Sequence, residues 1–139
     1  MRKAMQKAQV SSEYVILVGF IVAISIPMLL VYFNFTNSVN DQIISTQLDK
    51  VTKSVVDAAD TVYFLGEPSQ RTLKVYIPAN VREVILANRT LVYRMKSSSG
   101  DSDIVGVSST NLTGVLPKES GVYILTIKAT SNSVQISYS

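Results

Sequence analysis

From Tyr14 to Phe35 the chain carries no charged residue, and in a helix about 22 such positions span roughly 33 Å, the thickness of a bilayer core. The segment is therefore predicted to be a helix able to cross a membrane. Arg2, Lys3 and Lys7 all precede it, which predicts a cytoplasmic N-terminus and an outward-facing remainder after Phe35. A conventional secretory h-region is about 7 to 15 residues long and ends at a small-residue cleavage site. This run is longer and leads into Asn34-Phe35-Thr36, so it is expected to be retained. Its large apolar side chains would each cost about 1.5 to 3 kcal/mol if exposed to water. The helix needs lipid or a bundle of its own copies, and transfer between those two is nearly neutral in hydrophobic terms. Gly19, Ala23 and Ser25 offer points of close approach, and Pro27 is expected to bend or locally melt the helix. An ordinary single-pass anchor accommodates these features equally well.

The residues abutting the run are Lys7-Ala8-Gln9-Val10-Ser11-Ser12-Glu13-Tyr14. They closely resemble the class III signal peptide of archaeal type IV pilins, in which Lys-Gly precedes Gln-x-Ser-x-Glu-Phe/Tyr. The chain departs from that pattern at Ala8, where Gly is usual and Ala is the next smallest residue. The resemblance is strongest from Lys7 to Tyr14 and in the apolar run; the remainder matches only in general character. It implies a processing motif of Lys7, Gln9, Ser11 and Glu13, cut by a prepilin peptidase between Ala8 and Gln9. The mature chain would then begin at Gln9 and polymerise with itself into a helical surface filament, served by an assembly ATPase and platform protein, after residing in the membrane. The resemblance also implies that Glu13 pairs with the N-terminal amine of a neighbouring subunit and sets axial register. A carboxylate at the edge of an apolar run is costly unless it meets positive charge. Glu13 at the headgroup interface, or favoured by the dipole of the helix N-terminus, is the alternative, and cyclisation of Gln9 would delete the amine.

Composition narrows the function classes. The chain has 139 residues and contains neither Cys nor His, which removes thiolate nucleophiles, disulfides, the usual zinc ligands and the imidazole of most acid–base schemes. No phosphate-cradling Gly-rich loop is present, so the chain is expected to be no enzyme and to hold no cofactor or metal. Removing the three leading cations leaves ten basic residues against ten acidic ones. A nucleic-acid footprint has little support, and loss of net charge favours self-association.

After Thr36 an apolar stripe of Ile44, Leu48, Val51, Val55, Ala58 and Val62 recurs at four- and three-residue steps, which predicts an amphipathic helix. It is expected to end near Gly66-Glu67-Pro68-Ser69, with a possible bend at Asn37–Asn40, and to pack on the chain's own sheet. Alternating runs predict strands over 72–77, 81–87, 90–96, 104–107, 112–116, 122–130 and 134–138. Asn88-Arg89 reads as a tight turn and Ser97–Asp103 as a loop. Val134, Ile136 and Tyr138 are expected on one buried face. The domain layout is a cleaved leader 1–8, an apolar helix 9–35, an amphipathic extension 36–66 and a β domain 67–139. The fold class is α+β: a long helix packed by one antiparallel sheet of five to seven strands, the shape that the resemblance also implies.

Three N-x-S/T sequons, at Asn34, Asn88 and Asn111, are glycan acceptor candidates on an outward-facing chain. Asp101 and Asp103 offer oxygen ligands for calcium, although a solvated turn explains them more simply. The seven tyrosines are expected to be half-buried packing residues. Two other functions compete with a structural pilus subunit. One is a minor pilin or pseudopilin of a secretion or uptake assembly; the other is an uncleaved single-pass protein whose outer β domain binds a ligand.

Overall fold

In the computed structural model the chain begins with one helix, α1 (Arg2–Leu65); the backbone is described for residues 2–139 and side chains for residues 12–139. Two compact units divide at residue 39, and α1 contributes to both. In the first unit α1 remains helical through Pro27, so the expected local melting does not occur. One missing N–H donor removes one bond from a ladder whose neighbours on both sides persist. The Asn37–Asn40 stretch is helical as well.

In the second unit the helix is capped as its sequence predicts. Gly66 takes a φ of 75° and its N–H donates to the carbonyls of Val62 and Tyr63 at 3.1 Å, a left-handed end that glycine adopts without a Cβ penalty. Seven strands follow: β1 (Gln70–Ile77), β2 (Val81–Ala87), β3 (Thr90–Ser97), β4 (Gly100–Val107), β5 (Leu112–Gly114), β6 (Gly121–Thr130) and β7 (Ser133–Tyr138). They form two sheets rather than one, ordered β1-β6-β7-β5 and β2-β3-β4. Every pairing is antiparallel except β5 with β7, which run parallel. The seam between the sheets lies at β5 and β2, where the Leu112 N–H donates to the Asn88 carbonyl at 2.6 Å.

All six positions of the predicted stripe are buried, Leu48 and Val55 completely. They form one core with Ile77, Leu91, Tyr93, Met95, Leu125, Ile127, Val134 and Ile136 of the strands. At about 100° per residue, Gln47, Lys50 and Ser54 lie roughly a quarter turn to one side of the stripe, and Thr52 and Val56 lie roughly as far to the other, with Asp60 further round on that side. The first set shares a cleft with β1; the second meets β4 and the loop after it. The two sheets thus arch from one flank of the helix to the other, and their outer strands, β1 and β4, both end against it.

Two aspartates anchor the β4 flank. Asp41 accepts from the Ser97 hydroxyl at 2.8 Å, the Ser98 N–H at 2.7 Å and the Ser98 hydroxyl. Asp60 accepts from the Ser108 hydroxyl at 2.6 Å and from the Ser109 N–H and hydroxyl at 2.9 and 3.2 Å. About 28 Å of helix separates the two carboxylates, comparable with the extended length of the strand between the two serine pairs, about 33 Å. Between these anchors β4 approaches closely enough that a Cβ on Gly106 would sit 2.5 Å from Thr52 Cγ2 and 2.9 Å from Val56 Cγ2.

Gly106→Val overpacks the strand–helix contact and is expected to cost about 1 to 3 kcal/mol, lowering the Tm of the detergent-solubilised chain by roughly 5 to 15 °C. The exposed Val107→Thr should leave Tm nearly unchanged. Hydrogen bonds from Ser98, then Ser97, hold the Asp41 carboxyl below its usual range. A depressed folded-state pKa stabilises above the unfolded value, near pH 3.9, and that contribution fades as pH falls through the folded value. Tm measured from pH 7 to pH 2 should therefore drop on the acid limb, and Asp41→Asn should make that limb shallower.

Candidate functional site

The apolar half of α1 carries the longest run of exposed apolar side chains among the described residues. Seventeen large apolar side chains from Tyr14 to Phe35 are exposed, each by 40% or more, on a helix long and apolar enough to cross a membrane. Two of its hydroxyls are satisfied locally. The Ser25 hydroxyl donates to the Ile21 carbonyl at 2.7 Å, and Thr36 Oγ1 donates to the Tyr32 carbonyl at 3.0 Å. Such back-bonding hides a hydroxyl from an apolar surround. A Cβ at Gly19 would meet nothing within 4 Å, so the chain's own packing makes no demand for glycine there.

Glu13 is exposed at the N-terminal edge of this surface, one residue before Tyr14. Lys7, Ala8, Gln9 and Ser11, the rest of the processing motif, lie outside the residues whose side chains are described.

Asn34 is exposed on the helix, within its apolar stretch. Asn88 stands at the β2–β3 turn with φ 53°, and Asn111 is exposed just before β5. The hydrogen bond from Leu112 N–H to the Asn88 carbonyl brings these two sequons side by side at the seam between the sheets, an adjacency that their spacing in the chain does not reveal. Arg89 reinforces it: its carbonyl accepts from the Ser108 N–H at 2.7 Å, and its Nε donates to the Ser108 carbonyl at 3.1 Å.

Asp101 and Asp103 are not in a loop; both belong to β4. The only unpaired stretch between β3 and β4 is Ser98–Ser99. Asp103 takes a forked pair from Arg94, with Nε to Oδ1 at 2.8 Å and Nη2 to Oδ2 at 3.0 Å. Arg94 also reaches Glu83, and Arg82 reaches Asp101, each at 3.0 Å. The forked hydrogen bond from Arg94 holds the Asp103 carboxyl below its usual range and raises the guanidinium. Both oxygens of Asp103 are thereby engaged, which displaces the calcium-loop reading. These ion pairs are solvent-exposed, so they direct strand register more than they stabilise the fold.

The tyrosines also depart from a uniform half-buried role. Tyr93 is wholly buried, its hydroxyl without a hydrogen-bond partner among the described residues, and burial pushes its pKa well up. Tyr138 is 45% exposed and stacks edge-on with Tyr123 at 5.6 Å; it does not share the burial of Val134 and Ile136. The cleft between helix and β1, about 330 Å³, brings Lys50 and Lys74 together with Gln47, Ser54 and Tyr76. Its cations face no carboxylate in that lining. Asp41 and Asp60, the anchoring residues, have no motif in the sequence; the Ser97–Ser99 and Ser108–Ser109 runs are the one local hint of their partners. No family model, no curated protein and no solved structure matches the chain.

Proposed function

We propose that this chain is the structural subunit of an archaeal type IV, adhesive pilus. It is trimmed by a prepilin peptidase between Ala8 and Gln9, held in the membrane with its N-terminus inside, and then polymerised into a surface filament. The observation that carries this reading is an uncharged, exposed apolar helix face from Tyr14 to Phe35, directly preceded by the Lys7–Tyr14 motif. The same helix can exchange lipid neighbours for identical helices at little hydrophobic cost. Glu13 stands where a carboxylate could meet the new amine of Gln9 on a neighbouring copy and fix the axial step. Asn88 and Asn111, exposed and adjacent, are the sequons best placed to carry glycans. The β domain forms the outer layer, and filament growth is head-to-tail because the contacts are heterologous and non-closing. A minor pilin of a related assembly would share all of these features and differ in copy number.

N-terminal sequencing of protein sheared from cell surfaces should start at Gln9. Full-length copies that stay in the bilayer and retain Met1–Ala8 would replace this reading with that of a single-pass anchor. Glu13→Val should insert into the membrane as the parent does and yield no filaments under electron microscopy; abundant normal filaments would remove the register role. Peptide mapping by mass spectrometry should find hexose-bearing Asn88 or Asn111 and an unmodified Asn34, and unmodified peptides at all three would end the glycan proposal.

A further inference from the structure

We propose that the cleft between α1 and β1 binds a sugar that carries one anionic group, a carboxylate or a phosphate ester. The site lies within a single copy of the chain and does not depend on polymerisation.

Two polar walls and an apolar floor arise from local geometry. On α1, Gln47, Lys50 and Ser54 are three and four residues apart, which stacks them one above another along the flank of the buried stripe. On β1, Lys74 and Tyr76 are two residues apart and share one face of the strand. Val51 and Val75, both buried, close the bottom together with Leu73. The cleft measures about 330 Å³, at the small end of ligand sites. It admits a single ring and is too small for a folded partner.

The ligand class follows from what these side chains leave uncommitted. Among the described residues, none of Gln47, Lys50, Ser54, Lys74 and Tyr76 has a side-chain hydrogen bond or ion pair with another protein group. Their neighbours differ: Lys53 pairs with Asp49 at 2.7 Å, and the serines flanking β4 bind Asp41 and Asp60. The cleft therefore brings two positive charges together without a carboxylate in its lining. Two ammonium groups in one cleft repel, and an anion between them relieves that repulsion where a neutral ligand does not. The amide and the two hydroxyls can each donate and accept, which is what sugar hydroxyls require. The Tyr76 ring and the aliphatic floor offer an apolar surface to the C–H face of a pyranose. A bare anion would leave that floor and those three polar groups unused. Because the lysines are exposed, each site binds weakly; many copies arrayed on one surface bind together far more tightly.

The detergent-solubilised full chain, titrated with sodium glucuronate or glucose-6-phosphate, should show saturable backbone amide NMR shifts at residues 47–54 and 73–76 with one or both. The tighter of the two names the anionic group. Glucose and inorganic phosphate should each bind about tenfold more weakly. Lys50→Met/Lys74→Met should weaken the acidic sugar by about tenfold at unchanged Tm, whereas Lys118→Met/Lys128→Met should leave it alone. Tyr76→Ala keeps both charges and should weaken the sugar without weakening phosphate, which decides the case if the lysine variant fails to fold. The proposal is overturned if neither sugar gives a saturable change, if the changes map elsewhere, or if glucose binds equally well. It is overturned too if phosphate matches the sugar, which marks an ion site only, or if tetraglutamate does, which marks a site for acidic peptide.

Discussion

Between Tyr14 and Phe35 the side chains of α1 are both apolar and exposed, and a surface of that size is not stable against water. Less than three turns further on, the same helix buries Ile44 and then a regular stripe to Val62 against the strands. One element therefore serves two surrounds, and the backbone hydrogen-bond ladder crosses from one to the other without a break. The change is made entirely by side chains: the first half is apolar on all sides, the second on one stripe with flanks set for β1 and β4. An all-round apolar helix belongs in lipid or among other apolar helices.

The β domain depends on that same helix for its shape. Neither sheet closes on itself, and β1 and β4 are edges in the hydrogen-bonding sense. Both end against α1, so the helix occupies the place that further strands would take in a closed barrel. Without disulfides, the alignment of β4 along the helix relies on the carboxylates Asp41 and Asp60, one at each end of the strand, and on the missing side chain of Gly106 between them. The anchors accept from serine hydroxyls and N–H groups of loops, which fixes the loops without burying charge. At Gly114 the fit is tighter still: φ is 113°, and a Cβ would collide with the Ile136 carbonyl, which is how the short β5 lies parallel beside β7.

Local periodicity carried much of this arrangement. The stripe from Ile44 to Val62, the cap at Gly66, the turn at Asn88-Arg89 and the final hairpin each arise from neighbours in sequence, and each stands where spacing predicts. The division into two sheets did not show, because it depends on which strand edges meet, and a period of two is the same on either side of a seam. Gly100-Asp101-Ser102-Asp103 has poor strand propensity and reads as loop; Arg94 and Arg82 across the ladder, and the helix beneath, override it. The parallel pairing of β5 and β7 is likewise non-local. Of the functional residues, the apolar span and the sequons were legible individually, but the adjacency of Asn88 and Asn111 requires the backbone bond from Leu112 and no pattern announces it. Tyr93 shows the reverse case, a residue expected to be half-buried whose ring is wholly enclosed by the core.

If the helices do form a bundle, their own surfaces select a depth poorly. The hydroxyls of Ser25 and Thr36 are already bonded to carbonyls of their own helix, so they gain little from any particular neighbour. Dispersion between aliphatic and aromatic side chains is nearly indifferent to small axial shifts when every position is apolar. Directional groups must then fix the register. Glu13 is one, a carboxylate that loses solvation unless it meets a cation at one specific height. A filament built this way takes its cohesion from the uniform part of the helix and its periodicity from the few groups that are not uniform.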